Sequence, residues 1–503
     1  MMNSKIKTII NSSTGFICQF IILVLGFIIP KIILNSYGSD VNGLTNTITQ
    51  IFTYMALLET GIASATKNVL YKPIQENNKN DIIFWICVSK KSYQKVSKIY
   101  FFLVIIFSIF LPFLLKTKVD YITILLYIFF EGLVGVISFY FINSWNCFFS
   151  VNGDNYIVNI FSLLVKILCY TVKIVLSLYS FNIALIQIGY FCVSLIQLFL
   201  YYIFLKRKYN WIYKSTKEYK KENINAKLPN RFAFIVIDLS WAIFSSTDMI
   251  VLSIFLSTKI ASVYSVYNLV FLSLNSLLNA IYNSINYNLG QTYIKDINKY
   301  KKLHNLYNSL FMSAITILVC VCYFLIIPFI KLYTKGVDDI NYIDYILPVL
   351  FCVIQLLSWS RCVASNLVNI SGNAKKVSVV SIIESLLNII LSILFSFLFG
   401  IYGVLYATIV TLPINAIYLN WLSEKTILNR SPKKTILIFF VNFFIFFVTI
   451  FLANFIKIKI DNYFYFIFFG TILLVIYFIL VSLINIIINR DVIIYLKQFF
   501  NKK

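Results

Sequence analysis

The chain has 503 residues, of which 60% are hydrophobic and 12% charged, with a net charge of +24 and a mean hydropathy of +0.84. Soluble domains carry about 25% charged residues. The composition therefore excludes an ordinary soluble protein, and apolar runs of about 20 residues recurring along the length indicate a polytopic helical membrane protein. The excess of Lys accompanies a general richness in Asn, Ile, Phe and Tyr, a bias AT-rich coding alone produces, so nucleic acid is not an expected partner.

The pattern predicts fourteen spans, at 14–34, 41–64, 99–115, 121–150, 157–179, 183–205, 232–256, 260–288, 306–330, 346–370, 378–399, 404–422, 436–456 and 463–487. Of the 43 Lys and Arg residues, 32 fall in the N-terminus, in alternate loops and in the C-terminal tail, whereas the opposite loops hold seven. The positive-inside rule then places both termini in the cytoplasm. An N-terminal apolar stretch too long for a signal-peptide core, with no small-residue cleavage site after it, reads as an uncleaved first span.

Charges at membrane depth come next, because each is costly there. They are Glu59 in span 2, Glu131 in span 4, Lys166 and Lys173 in span 5, Asp238 and Asp248 in span 7, Arg361 in span 10 and Glu384 in span 11. Lys166 and Lys173 are seven apart and share a helix face. Glu384 and Asn388 share one too, and Asn268, Asn275, Asn279 and Asn283 form an amide stripe. Lipid cannot solvate such groups, so they face one another or a hydrated cavity. Arg361 with Glu384 is the obvious interhelical ion pair. Asp248, mid-span, is a candidate to pair with Lys166 or to titrate and couple movement to H+ or Na+, with Asp238 as a second candidate.

Segment 80–98, "NDIIFWICVSKKSYQKVSK", reads as a helix capped by Asn80 or Asp81 and lying on the headgroups, and 491–503 has the same character. The nine cysteines are scattered and read as packing residues. His304, the only histidine, lies in a basic inner loop with no expected chemistry. No Walker A, G-x-G-x-x-G or H-E-x-x-H sequence occurs, so no cofactor or metal is expected and the chain does not read as an enzyme. The longest outer loop, 331–345, is too short to build a polymerase or glycosyltransferase site.

The organisation reads as two halves and a tail: a six-helix bundle over 1–205, a basic linker over 206–231, a second bundle over 232–422, and two extra helices with a cytoplasmic tail over 423–503. With an even number of spans in each, the halves would be parallel repeats, a plan that puts a transporter's substrate path between them.

The stretch "YGSDVNGLTNTITQIFTYMALLETGIASATKNVLYKPI" (37–74), followed by "STDMIVLSIFLSTKIASVYSVYNLV" (246–270), "NLGQTYIKDINKYKKL" (288–303), "LYTKGVDDINYIDYILPVL" (332–350), "NISGNAKKVSVVSIIESLLNIILS" (369–392) and "GIYGVLYATIV" (400–410), resembles bacterial polysaccharide flippases of the Wzx type. These belong to the multidrug/oligosaccharidyl-lipid/polysaccharide exporter superfamily. The resemblance implies an all-α membrane fold, two six-helix bundles around a central cavity plus two C-terminal helices, in the bacterial inner membrane. It implies a cargo of undecaprenyl-pyrophosphate-linked oligosaccharide for O-antigen or capsule, moved by alternating access, with a polysaccharide polymerase and chain-length regulator as further partners. Lys166, Lys173, Arg361, Asp248, Glu59, Glu131, Glu384, Asn275 and Asn279 would line the cavity. The alternatives on the same fold are a cation-coupled drug exporter and a peptidoglycan-precursor flippase.

Overall fold

The computed structural model describes residues 4–218, 247–371, 373–455 and 460–489. Among them, twelve helices are long and apolar enough to cross a membrane. The first two sequence spans lie in one stretch, α1 (Ser4–Ala56), a short 3₁₀ turn (Leu57–Glu59) and α2 (Thr60–Gln75), interrupted at Gly38 (φ 78°, ψ −175°). A straight helix of that length would measure about 108 Å against a core of about 30 Å. Its contacts show instead a hairpin. Asn11 donates to the Gly153 carbonyl at one end, Tyr37 reaches Phe181 at the other, and Leu70 returns to pack with Trp145 and Phe148. Hydropathy alone sees the apolar runs and cannot see that the helical pairing persists across Gly38. The seventh span falls largely within 219–246, outside the described residues, with α10 (Thr247–Leu256) as its described part.

The chain divides into two compact units, Met1–Ser262 and Val263–Lys503. Unit 1 continues with α3 (Lys79–Leu114), α4 (Tyr121–Ile137), a π-helical turn (Ser138–Ile142), α5 (Asn143–Val151), α6 (Asn155–Leu178), α7 (Ile183–Ser194), α8 (Ile196–Lys208) and α9 (Asn210–Glu218). Helix α3 corrects the surface-lying segment expected at 80–98. It begins at Asn78, whose side chain accepts from the Asp81 amide, and runs unbroken into the span. Ile82, Ile83 and Ile86 are buried with Leu70, Phe149, Tyr201 and Ile212 of α9, so this apolar face is taken by protein rather than lipid. The linker expected from 206 onward is helical over its first part.

Unit 2 takes most of α11 (Thr258–Lys295), then α12 (Ile297–Tyr333), α13 (Ile346–Trp359), α14 (Cys362–Ile370), α15 (Ala374–Phe399), α16 (Ile401–Trp421), a π-helical turn (Leu422–Ile427), α17 (Lys433–Ala453) and α18 (Tyr463–Ile488). Helices α15 and α16 form a tight hairpin. Gly400 turns it at φ 59°, and a Cβ on Gly403 would stand 2.1 Å from the Phe395 carbonyl oxygen. Helices α17 and α18 carry large exposed side chains such as Phe440, Phe464 and Ile487. That face fits hydrocarbon, not water.

Candidate transport site: polar groups at membrane depth

In unit 1 the acids are engaged. Asn143, which opens α5 after the π-helical turn, donates to Glu59 Oε2 and accepts from Ser138 Oγ at 2.9 Å. Gln187, buried on α7, donates to Glu131 Oε2 at 2.5 Å. On α6, Lys173 Nζ lies 4.3 Å from the centroid of the Tyr190 ring, a cation–π geometry. Lys173 also lines a small cavity with Tyr37, Thr45, Tyr127 and Ser177. Glu131 is within electrostatic reach of Lys173 without forming an ion pair. Lys166, two turns along the same helix, is half-buried and likewise makes no ion pair among the described residues. The expected Lys166–Asp248 pair is therefore absent in this structure.

Asp248 is buried on α10. This short helix lies along the second half of α1. Tyr54 bonds Thr247 at 2.7 Å, Thr47 bonds Ser253 at 2.5 Å, and Asn42 donates to Ser262 at 2.7 Å. At the turn into α11, the Asp40 carboxylate accepts from the Thr117 hydroxyl, the Lys118 amide and the Thr258 hydroxyl. Lys116 Nζ donates to the Phe255 carbonyl at 2.6 Å. Asp238 lies outside the described residues.

In unit 2 the expected ion pair is present. Arg361, between α13 and α14, reaches Glu384 on α15, which also accepts from Asn415 of α16 at 2.7 Å. One turn on, Asn388 donates to Thr408 and Thr411, both at 3.2 Å. The amide stripe of α11 separates: Asn275 accepts from the Trp359 indole at 2.8 Å, Asn279 is exposed, and the side chain of Asn283 lies outside the described residues.

A third cluster went unseen in the sequence. His304, fully buried, meets Arg430 Nη2 at 2.9 Å through Nδ1. Arg430 also grips Glu424 and donates to the Lys301 carbonyl, and Thr435 donates to Glu424 at 2.6 Å. The cluster ties α12 to the α16–α17 connection. Its only sequence signal was an acid and a base six apart in a segment read as a solvated loop.

No family model matches the sequence, and no curated protein matches it. Solved structures do. "Lipid II flippase MurJ, inward closed conformation" is similar with a TM-score of 0.68 at 17% identity, covering 95% of this chain and 99% of that one. The fold is that of the MOP-superfamily transporters. An inward-facing MATE multidrug transporter of that superfamily is similar with a TM-score of 0.62 at 14% identity, covering 79% of this chain and 92% of that one. The MATE multidrug transporter DinF-BH gives 0.55 at 16%, covering 83% and 94%. This fold carries the polar groups described above. They comprise hydrogen-bonded acids, two lysines that make no ion pair among the described residues, amides and tyrosines.

Proposed function

We propose that the chain is a flippase for undecaprenyl-pyrophosphate-linked oligosaccharide repeat units, serving surface polysaccharide synthesis in a bacterial cytoplasmic membrane with both termini on the cytoplasmic side. One observation carries the reading. The intramembrane acids Glu59, Glu131 and Glu384 are held by Asn143, Gln187 and Arg361, whereas Lys166 and Lys173 make no ion pair among the described residues. Asn143 and Gln187 are neutral and leave Glu59 and Glu131 their charge, so the groups at depth are of mixed sign, these two lysines among carboxylates, tyrosines and amides. Lysines suit a pyrophosphate, and hydroxyls, amides and aromatic faces suit sugars. Asp248 remains the group we assign to coupling with H+ or Na+, since a buried carboxylate on a short helix responds to charge state with a large change in solvation. A polymerase and a chain-length regulator would take the product on the far side.

A peptidoglycan-precursor flippase is the second reading, favoured by the extent of the similarity to the lipid II flippase. One experiment separates them. Lipids are extracted from a strain lacking the gene, and both lipid-linked pools are quantified with the surface polymer. Accumulation of the complete oligosaccharide repeat unit with loss of polymer supports the first reading. Accumulation of the peptidoglycan precursor supports the second. Unchanged pools overturn both.

A further inference from the structure

Unit 2 holds a recess that the transport reading does not use. It occupies about 770 Å³ between α13, α16 and α17, and Leu357, Ala416, Ile417, Phe440, Phe443 and Phe444 give it an apolar wall. Its polar members bond to backbone: Ser360 Oγ donates to the Leu357 carbonyl at 2.7 Å, and Asn420 Nδ2 donates to the Ser360 carbonyl at 3.4 Å and the Ala416 carbonyl at 2.8 Å. Trp421 and Pro432 stand at one end. Next to that end are Lys425, one helical turn beyond Trp421, and Lys433, which follows Pro432; both are exposed and neither makes an ion pair among the described residues. Arg430, between them in sequence, is committed to Glu424 and His304.

We infer that this recess is a binding site for one anionic membrane phospholipid, its phosphate between Lys425 and Lys433 and an acyl chain along α16 and α17. Three features fix the occupant. The walls are aliphatic and aromatic, so the chain is hydrocarbon. Two exposed lysines and a tryptophan mark headgroup level, where an anionic phosphate is attracted and an indole ring settles. The depth selects a phospholipid over a polyprenyl chain. From Trp421 to Pro413, where α16 forms one wall, the helix rises about 12 Å, within the roughly 15 Å of one leaflet. A polyprenyl chain several times that length would leave most of itself outside. The site is built from unit 2 alone and uses neither Lys166 nor Lys173, so it holds whatever the cargo proves to be.

The test is native mass spectrometry of the full-length protein in mild detergent, titrated separately with phosphatidylglycerol, phosphatidylethanolamine and undecaprenyl phosphate. Phosphatidylglycerol is expected to be retained at one equivalent in preference to phosphatidylethanolamine. The Lys425→Ala/Lys433→Ala variant is expected to lose about 30-fold in that affinity, as two lysines at a headgroup surface imply. Ile417→Trp, which narrows the recess from an exposed position, is expected to weaken phosphatidylglycerol as well, and thermal unfolding confirms that both variants fold. Equal retention of the two phospholipids, or an unchanged affinity in the lysine variant, overturns the proposal. So does retention of undecaprenyl phosphate in place of phosphatidylglycerol with loss in the Ile417→Trp variant, which assigns the recess to a polyprenyl chain.

Discussion

Arg361 Nη1 donates to both carboxylate oxygens of Glu384, at 3.0 and 3.1 Å, with both side chains almost wholly buried. Such a pair stabilises little relative to an apolar replacement, yet removing one partner strands a charge. Arg361→Met alone is expected to cost about 3–5 kcal/mol. Arg361→Met/Glu384→Met is expected to recover most of that loss. Thermal unfolding in detergent checks both. A double variant that is stable but no longer moves cargo would give the pair a transport role in addition to its packing role.

Helix α1 and the start of α11 approach so closely that a Cβ on Gly43 would lie 1.7 Å from the Thr258 carbonyl oxygen. Backbone cannot yield as a flexible side chain can. Gly43→Ala is expected to destabilise by about 1–3 kcal/mol, in the range of overpacked cores. Gly26→Ala is its control, since nothing lies within 4 Å of a Cβ there, and replacing Gly within a helix should leave stability equal or slightly higher. Equal melting temperatures for the two variants would contradict the close crossing.

Asp120 caps α4 from the loop outside the span, accepting from the Thr123 amide at 2.9 Å. That hydrogen bond favours the ionised form and lowers its pKa below the usual carboxylate value. A depressed folded-state pKa gives stability that is present above the unfolded-state value and lost as the pH falls through the folded-state value. The cap's contribution is therefore full at neutral pH and fades only in acid. Asp120→Ala is expected to cost about 1 kcal/mol at pH 7, and the difference from wild type should shrink at pH 3. Melting curves at the two pH values decide it; a gap that is the same at both removes the cap argument.

Much of this fold is legible in the sequence because the membrane leaves few choices. Apolar length fixes the spans, and an arginine and a glutamate at depth on neighbouring spans have little alternative to pairing. The misreadings share a cause. Ile82, Ile83 and Ile86 show an apolar face, but only tertiary structure says whether lipid or Tyr201 covers it. Likewise Glu424, Arg430 and His304 look like solvated loop charges until α12 and the α16–α17 connection bring them into one buried cluster. Glu59 and Glu131 look like lone intramembrane acids because their partners, Asn143 and Gln187, are uncharged and 84 and 56 residues away. Neutral hydrogen-bond partners leave no charge pattern to find.

Lys173 gives the sharpest link between stability and transport. Its ammonium group faces the Tyr190 ring and the small cavity beside Tyr127, and it makes no ion pair among the described residues. Burying such a charge disfavours the folded state, so Lys173→Met should melt at the same temperature as wild type or higher. If the lysine meets the cargo's pyrophosphate, the same variant loses a charge-assisted contact worth about 1.5–3 kcal/mol. Transport should then fall about ten- to a hundredfold, measured as lipid-linked oligosaccharide flipped in proteoliposomes. Lys173→Arg should retain part of the rate, since it keeps the charge, and Lys166→Met on the same face should fall in parallel. A variant that is more stable but slower is the signature of a functional charge. Wild-type transport in both methionine variants would remove the cationic stripe from the mechanism and leave the cargo to be recognised by amides and tyrosines alone.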